Sequence, residues 1–394
     1  MPAATLPAQQ GTQSAGAAGQ PAAVVPFSQA SHYGMEQGPS FTVTQGTTQQ
    51  TFGPFPLPAT GYLRRVLIEV TPSGGTAGTA LADYPASIFA LIRLTDTNGA
   101  PIYELSGYNT LLADMYGGYA GCPDWRQDPD YSTAGNTPTF TPYVPLEIDA
   151  SGMGSPANLS ASSAYRLTCV VDTLANNYSA NPSPVPVLTV QVYCDFWTLP
   201  NTVDGSGRQQ AITPPYPGTL QLWSQQPNVT VNAGANRIPL NRMGNLLRTV
   251  LIVTRVAGAR SDTNTIGDPI TLRWDDINLQ VIDRRTIRKR MREYLNDWAG
   301  VAAVPTILGA YVVGQYNHGT SRLAGGISVV SWLPTVSATR YEISTPSGAG
   351  GASTLDWIIN DVSVASTAPQ QRATVGGTGV QFHPPVAPVV PGTT

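Results

Sequence analysis

The chain of 394 residues is longer than a single hydrophobic core usually serves, so two domains of about 150–170 residues are the starting expectation. Only 11% of residues are charged, against about 25% in an ordinary soluble domain, while 41% are apolar. This excludes a wholly disordered chain and implies that much of the surface faces other protein. The net charge of −3 excludes a global basic field for holding nucleic acid, so no direct nucleic-acid binding is expected.

Residues 1–40 are Ala, Gly, Gln, Pro, Ser and Thr with one charge, Glu36, and read as an extended N-terminal arm. No Arg or Lys precedes Arg64, which rules out a basic, genome-binding arm. A first β domain is expected over residues 41–200. It opens with Phe41 and Val43 as a strand. Phe52 and Phe55, broken by Pro54, Pro56 and Pro58, read as an edge or turn. Strand-like runs follow at Gly61 to Thr71, Ile88 to Leu94 and Ile102-Tyr103. Leu111 and Met115, four residues apart, predict a short helix. Gly117 to Pro142 is a long loop rich in Tyr, Gly, Asp and Pro, of the kind that lies at a surface. Its expected tip carries Trp125, Asp128, Asp130 and Tyr131. Strands resume at Tyr165-Arg166-Leu167 and at Val187 to Trp197.

Residues 201–218 hold Gly, Ser and paired Pro and predict a linker. The second domain is expected over 219–366, with a C-terminal arm over 367–394. The second domain repeats the first. Gly244 to Thr254 (GNLLRTVLIVT) overlays Gly61 to Thr71 (GYLRRVLIEVT) without a gap, with Gly, Leu, Arg, Val and Thr in common. In order after it come Ile270 to Trp274, a turn at Asp275-Asp276-Ile277-Asn278, and Leu279-Gln280-Val281. The helical pair Ile287 and Met291 follows, then Arg340 to Ile343 and Leu355 to Val364. Each has its counterpart about 180 residues earlier, which makes the chain an internal duplication of one fold.

Few residues suggest chemistry. The only histidines are His32, His318 and His383, and no nucleophile motif or phosphate loop is present, so no enzyme is expected. An enzyme reading would have to rest on Asp275, Asp276 or Glu147. Asp124, Asp128 and Asp130 lack EF-hand spacing and are ordinary turn residues, so no metal or cofactor is expected. Cys122, Cys169 and Cys194 form no CxxC pair; the latter two lie in or beside apolar runs, as buried free thiols do. No signal peptide and no membrane span is expected, which places synthesis in a cytoplasm. The sharpest charge feature is Arg284, Arg285, Arg288, Lys289, Arg290 and Arg292, flanking an apolar stripe of Ile287, Met291, Tyr294, Leu295 and Trp298. Asp283 is positioned to cap this helix. The basic flank is expected to contact an acidic neighbour, inside the domain or across a subunit interface.

The tandem repeat, with GNLLRTVLIVTR, DPITLRWDDINLQV and the helix IRKRMREYL, resembles the double jelly-roll major capsid proteins of tailless, membrane-containing viruses, the tectivirus-like phages above all. That resemblance implies an all-β chain of two tandem jelly-roll sandwiches with short inserted helices and extended N- and C-terminal arms. It implies homotrimers that present six similar modules and tile an icosahedral virion shell as pseudo-hexagons. It further implies penton and minor capsid proteins and an internal membrane as partners. Loops such as Gly117–Pro142 and Gly309–Gly326 would be exposed or lie between subunits. A carbohydrate- or receptor-binding β-sandwich protein, with Trp125, Tyr131 and Tyr143 stacking on sugar rings, is the alternative.

Overall fold

The computed structural model describes residues 24–75, 78–117, 140–148, 152–203, 211–213, 219–241, 244–261, 265–294, 309–315, 332–335 and 339–364. Sixteen principal strands fall into two sets of eight. In the first half they are β1 (Tyr33–Thr44), β2 (Gln50–Pro56), β3 (Gly61–Ser73), β4 (Phe89–Thr95), β5 (Pro101–Leu105), β6 (Tyr143–Pro145), β7 (Arg166–Val171) and β8 (Val187–Trp197). In the second they are β9 (Thr219–Thr230), β10 (Asn236–Leu240), β11 (Leu246–Val256), β12 (Ile270–Trp274), β13 (Ile277–Ile282), β14 (Ala310–Gln315), β15 (Tyr341–Thr345) and β16 (Ser353–Val364). Helix α1 (Gly107–Gly117) follows β5, and helix α2 (Arg284–Tyr294) follows β13.

The two halves have one topology. In the first, one sheet runs β1-β8-β3-β6 and the other β2-β7-β4-β5. In the second, β9-β16-β11, with β14 on the far side of β11, faces β10-β15-β12-β13. Each strand of the second half therefore holds the place of the strand eight earlier, and α2 that of α1. The overlaid stretches are β3 and β11, an inner strand of each half. Their apolar residues face inward at alternate positions in β3: Val66, Ile68 and Val70 are fully buried. β11 is buried on both faces from Leu247 to Thr254, with an unbroken apolar run at Val250 to Val253. Leu167 and Cys169 of β7 and Leu188 to Cys194 of β8 complete the same core. Cys169 and Cys194 are buried free thiols.

Both inner strands carry a bulge at their arginine. Asp195 pairs with Arg65 and Phe196 with Leu63, so Arg64 is the extra residue of β3. In β11, Leu247 and Thr249 pair with consecutive residues, and Arg248 is the extra one. The bulge resets the alternation, so an arginine can sit within an otherwise apolar strand.

Three expectations need correction. The N-terminal arm expected to run to residue 40 gives way to β1 at Tyr33, which pairs with β8 over its whole length. As an edge strand β1 needs little apolar sequence, and Gly34, Gly38 and Pro39 concealed it. Val24–Pro26 also pairs, in parallel, with Ala211–Thr213 of the expected linker. Of the expected loop Gly309–Gly326, residues 310–315 are strand β14 beside β11, with Ala310, Tyr311 and Val313 buried; residues 316–326 lie outside the described residues. The helix N-terminus of α2 meets Asp268, whose carboxylate accepts from the Arg284 backbone N–H at 2.9 Å, in place of the expected Asp283.

Candidate functional site

Two surfaces stand out: the junction between the sandwiches, and, on the second sandwich, strand β13 with the basic helix α2. At the junction the two halves share a sheet. β5 pairs in parallel with β9, Tyr103 opposite Trp223 and Glu104 opposite Ser224. Trp223 is 2% exposed and lies against Gly117 at the end of α1, where a Cβ would meet the indole ring. All of α1 is buried.

Polar contacts fix the junction. Arg248 is fully buried and donates to the Gly117 carbonyl (2.7 Å), Asn360 Oδ1 (3.0 Å) and Gln221 Oε1 (3.1 Å). A cation at the C-terminal end of a helix is favoured by the helix dipole. Gln225 Oε1 accepts from the Ser106 N–H (2.9 Å) and from Asn109 Nδ2 (2.6 Å). Asp83, in the loop between β3 and β4, accepts from Arg255 Nη1 at 2.9 Å and from Arg260 Nε. Arg255 also holds Asp356 at 3.0 Å. Both guanidinium groups lie over the Tyr108 ring, at 4.6 Å for Arg260 and 5.6 Å for Arg255. Burial pulls the Arg255 pKa down, but Asp83 and Asp356 together carry it above its ordinary value. Burial pushes the Tyr108 phenol up to about 12. None of this was legible in the sequence, because Asp83 and Arg260 meet across 177 positions.

The basic helix divides in two. Ile287 and Met291 are buried, as the four-residue spacing predicts. Arg284 pairs with Asp268 at 3.2 Å. Arg288 reaches the Tyr311 hydroxyl at 3.3 Å. Arg285, Lys289 and Arg290 are exposed and make no ion pair among the described residues. Nothing is described of the Arg292 side chain, and Trp125, Asp128, Asp130 and Tyr131 lie outside the described residues. Beside the helix, β13 exposes Ile277 (62%), Leu279 (37%) and Val281 (58%). Their alternation in INLQVI is a strand signal whose apolar side faces outward, which sequence alone cannot orient.

The carboxylates considered for catalysis hold structure together. Glu147 is buried and accepts from Arg64 Nε (2.5 Å) and from the Trp197 indole (3.0 Å). Asp275 closes the turn between β12 and β13, accepting from the Arg340 backbone N–H at 2.8 Å. Asp276 is almost fully exposed. Tyr143, considered for sugar stacking, lies under the Arg65 guanidinium at 4.3 Å. Among the described residues no group of three His, Cys, Asp or Glu is gathered as for a metal ion, and no helix is long and apolar enough to cross a membrane.

No family model matches the chain, and no curated protein matches it by sequence. Solved structures do match in shape. The crystal structure of the STIV major capsid protein superposes with a TM-score of 0.56 at 11% identity, over 84% of this chain and 97% of that one. A chain of the atomic structure of Sulfolobus Turreted Icosahedral Virus gives 0.54 at 10% identity, over 84% and 91%. A chain of the PBCV-1 virus capsid gives 0.52 at 11% identity, over 84% and 94%. The fold is the double jelly roll. At this identity the likeness is one of fold, and it extends across both jelly rolls with the junction between them.

Proposed function

We propose that the protein is a structural, non-catalytic major capsid protein of an icosahedral virion. One observation carries this reading: the whole double jelly roll, not one half of it, superposes on nearly the full length of viral capsid proteins. A chain with two copies of one sandwich at a fixed angle presents six modules from three subunits, so three-fold symmetry supplies near-hexagonal tiles. The low charge of 11% suits a surface largely covered by neighbours. In the finer form of the proposal the virus is a tailless, membrane-containing phage of tectivirus-like type. Its shell then adds penton and minor capsid proteins over an internal membrane. The division into a first jelly roll over about 33–200 and a second over 219–364 belongs to the same proposal.

The test is the solution mass of the purified full chain by light scattering, followed by electron microscopy of concentrated samples. Stable trimers that associate into flat hexagonal arrays or closed shells are expected. A monomer at micromolar concentration that never assembles overturns the proposal.

A further inference from the structure

In each half an aspartate builds the turn that follows the fourth strand: Asp96 between β4 and β5, Asp275 between β12 and β13. Asp96 is 1% exposed. Its Oδ1 accepts from the Asn98 N–H and the Ala100 N–H, each at 2.8 Å, and its carbonyl accepts from the Gly99 N–H at 3.0 Å. Gly99 closes the turn in the left-handed region, at a φ of 85°, which a side chain resists. The turn therefore places a glycine directly after an asparagine. Asn98-Gly99 is the only Asn-Gly pair in the chain, and the corresponding turn of the second half reads Asp275-Asp276-Ile277-Asn278.

Such a pair is chemically labile. When the Gly99 nitrogen attacks Asn98 Cγ, an N–C bond forms and the Cγ–Nδ2 bond breaks. The side-chain nitrogen takes up the Gly99 amide proton and leaves as ammonia. Water then opens the five-membered imide at either carbonyl, which yields aspartate or isoaspartate. Glycine favours ring closure because no Cβ crowds its nitrogen; every other asparagine in the chain is followed by a residue that has a side chain. Asn98 and Gly99 are exposed, and nothing lies within 4 Å of where a Gly99 Cβ would stand, so no packing opposes the closure. What opposes it is Asp96. Its carbonyl holds the N–H that must be given up, and its carboxylate pins the residues on either side of Gly99. The turn opens locally at a cost set by these bonds.

We propose that Asn98 is the site of spontaneous deamidation in this protein and that the Asp96 turn sets its rate. The product carries a new carboxylate beside Asp96, and in the isoaspartate the main chain is longer by one methylene. Both changes fall in the hairpin whose second strand, β5, pairs with β9 and so joins the two jelly rolls. The chemistry belongs to the single chain, whether or not it assembles.

The purified full chain is aged in mildly alkaline buffer and digested. The amide-to-acid mass gain and the enzymatic methylation of isoaspartate are then followed peptide by peptide. Isoaspartate is expected to appear first at Asn98 and to be missing from that peptide in Asn98→Gln. It is expected to form about 10-fold faster in Asp96→Ala, and at least as much faster in the wild-type chain held unfolded in urea. The urea comparison carries the same test if Asp96→Ala does not fold. An Asn98 that stays intact in the aged native protein overturns the site, as does deamidation that begins at another asparagine. Equal rates in the native and unfolded wild-type chains, or in wild type and a folded Asp96→Ala, overturn the control by the turn.

Discussion

Arg248 of β11 donates at 2.7 Å to the main-chain carbonyl of Gly117, the last residue of α1, and so ties the second jelly roll to the helix of the first. Its counterpart in the repeat, Arg65, instead pairs with Asp195 of its own jelly roll at 2.5 Å and keeps about a third of its side chain exposed. The arginine of one repeat has thus become a clamp between domains, while its counterpart stays within its own jelly roll. Replacing Arg248 by Met removes the donor shared by three buried acceptors, of which Gln221 Oε1 keeps Asn360 Nδ2 at 3.2 Å. A loss of about 3 kcal/mol is expected in urea unfolding. Arg248→Lys keeps the charge but not the planar fork, and should recover less than half of that loss. A melting curve unchanged by Arg248→Met would show that the clamp contributes nothing.

Gly117 is at this position because there is no room for anything else. A Cβ on it would run into the Trp223 ring, which is itself fixed by the β5–β9 pair. Gly117→Ala should cost about 1–3 kcal/mol through overpacking, despite alanine's better helix propensity. Combining it with Trp223→Phe, which shortens the ring, should cost less than the two single changes added together. Thermal unfolding of the four proteins in the cycle measures this directly; strict additivity would place the clash elsewhere.

The Asp83 cluster predicts a different response. Asp83, Arg255 and Arg260 are each at least four-fifths buried, so their attraction is poorly screened. Asp83→Asn removes the charge that two guanidinium groups share and should cost about 3 kcal/mol. The loss should be nearly the same at low and high salt. A loss that vanishes in high salt would identify an ordinary surface pair.

The repeat was legible because buried strands and amphipathic helices leave periodic apolar marks. GYLRRVLIEVT and GNLLRTVLIVT became β3 and β11, and Leu111/Met115 and Ile287/Met291 became α1 and α2. What the sequence concealed were the edges. β1 is half exposed and needs no apolar run, so Tyr33–Ser40 looked like arm. In β13 the apolar residues were visible but not their direction, because alternation fixes two faces without saying which is the core. The basic helix was visible as a contact surface without its neighbour, and Asp268, not the adjacent Asp283, met its first turn. The junction residues Asp83, Trp223 and Gln225 left no local mark, since each takes its role from residues more than a hundred positions away.

The two buried thiols contribute to the loss of stability at alkaline pH. Burial pushes Cys169 up to about 12, and burial with Asp195 and Glu36 does the same for Cys194. Both folded values lie above the ordinary thiol value of 9.0, so each thiol's contribution is complete below that value. As pH rises towards about 12 the unfolded chain gives up these protons and the folded chain keeps them, so unfolding becomes easier by roughly 1 kcal/mol per pH unit per thiol. Tyr108 and Tyr165, also raised to about 12 by burial, add to the fall above pH ~10. The thiol share is isolated by comparing Cys122→Ser with the same protein carrying Cys169→Ala and Cys194→Ala. The alanines lower stability at every pH through the cavities they leave, but should flatten its decline between about pH 9 and pH 11. Parallel declines in urea midpoint for the two proteins would mean that the thiols ionise as readily in the folded state as in the unfolded one.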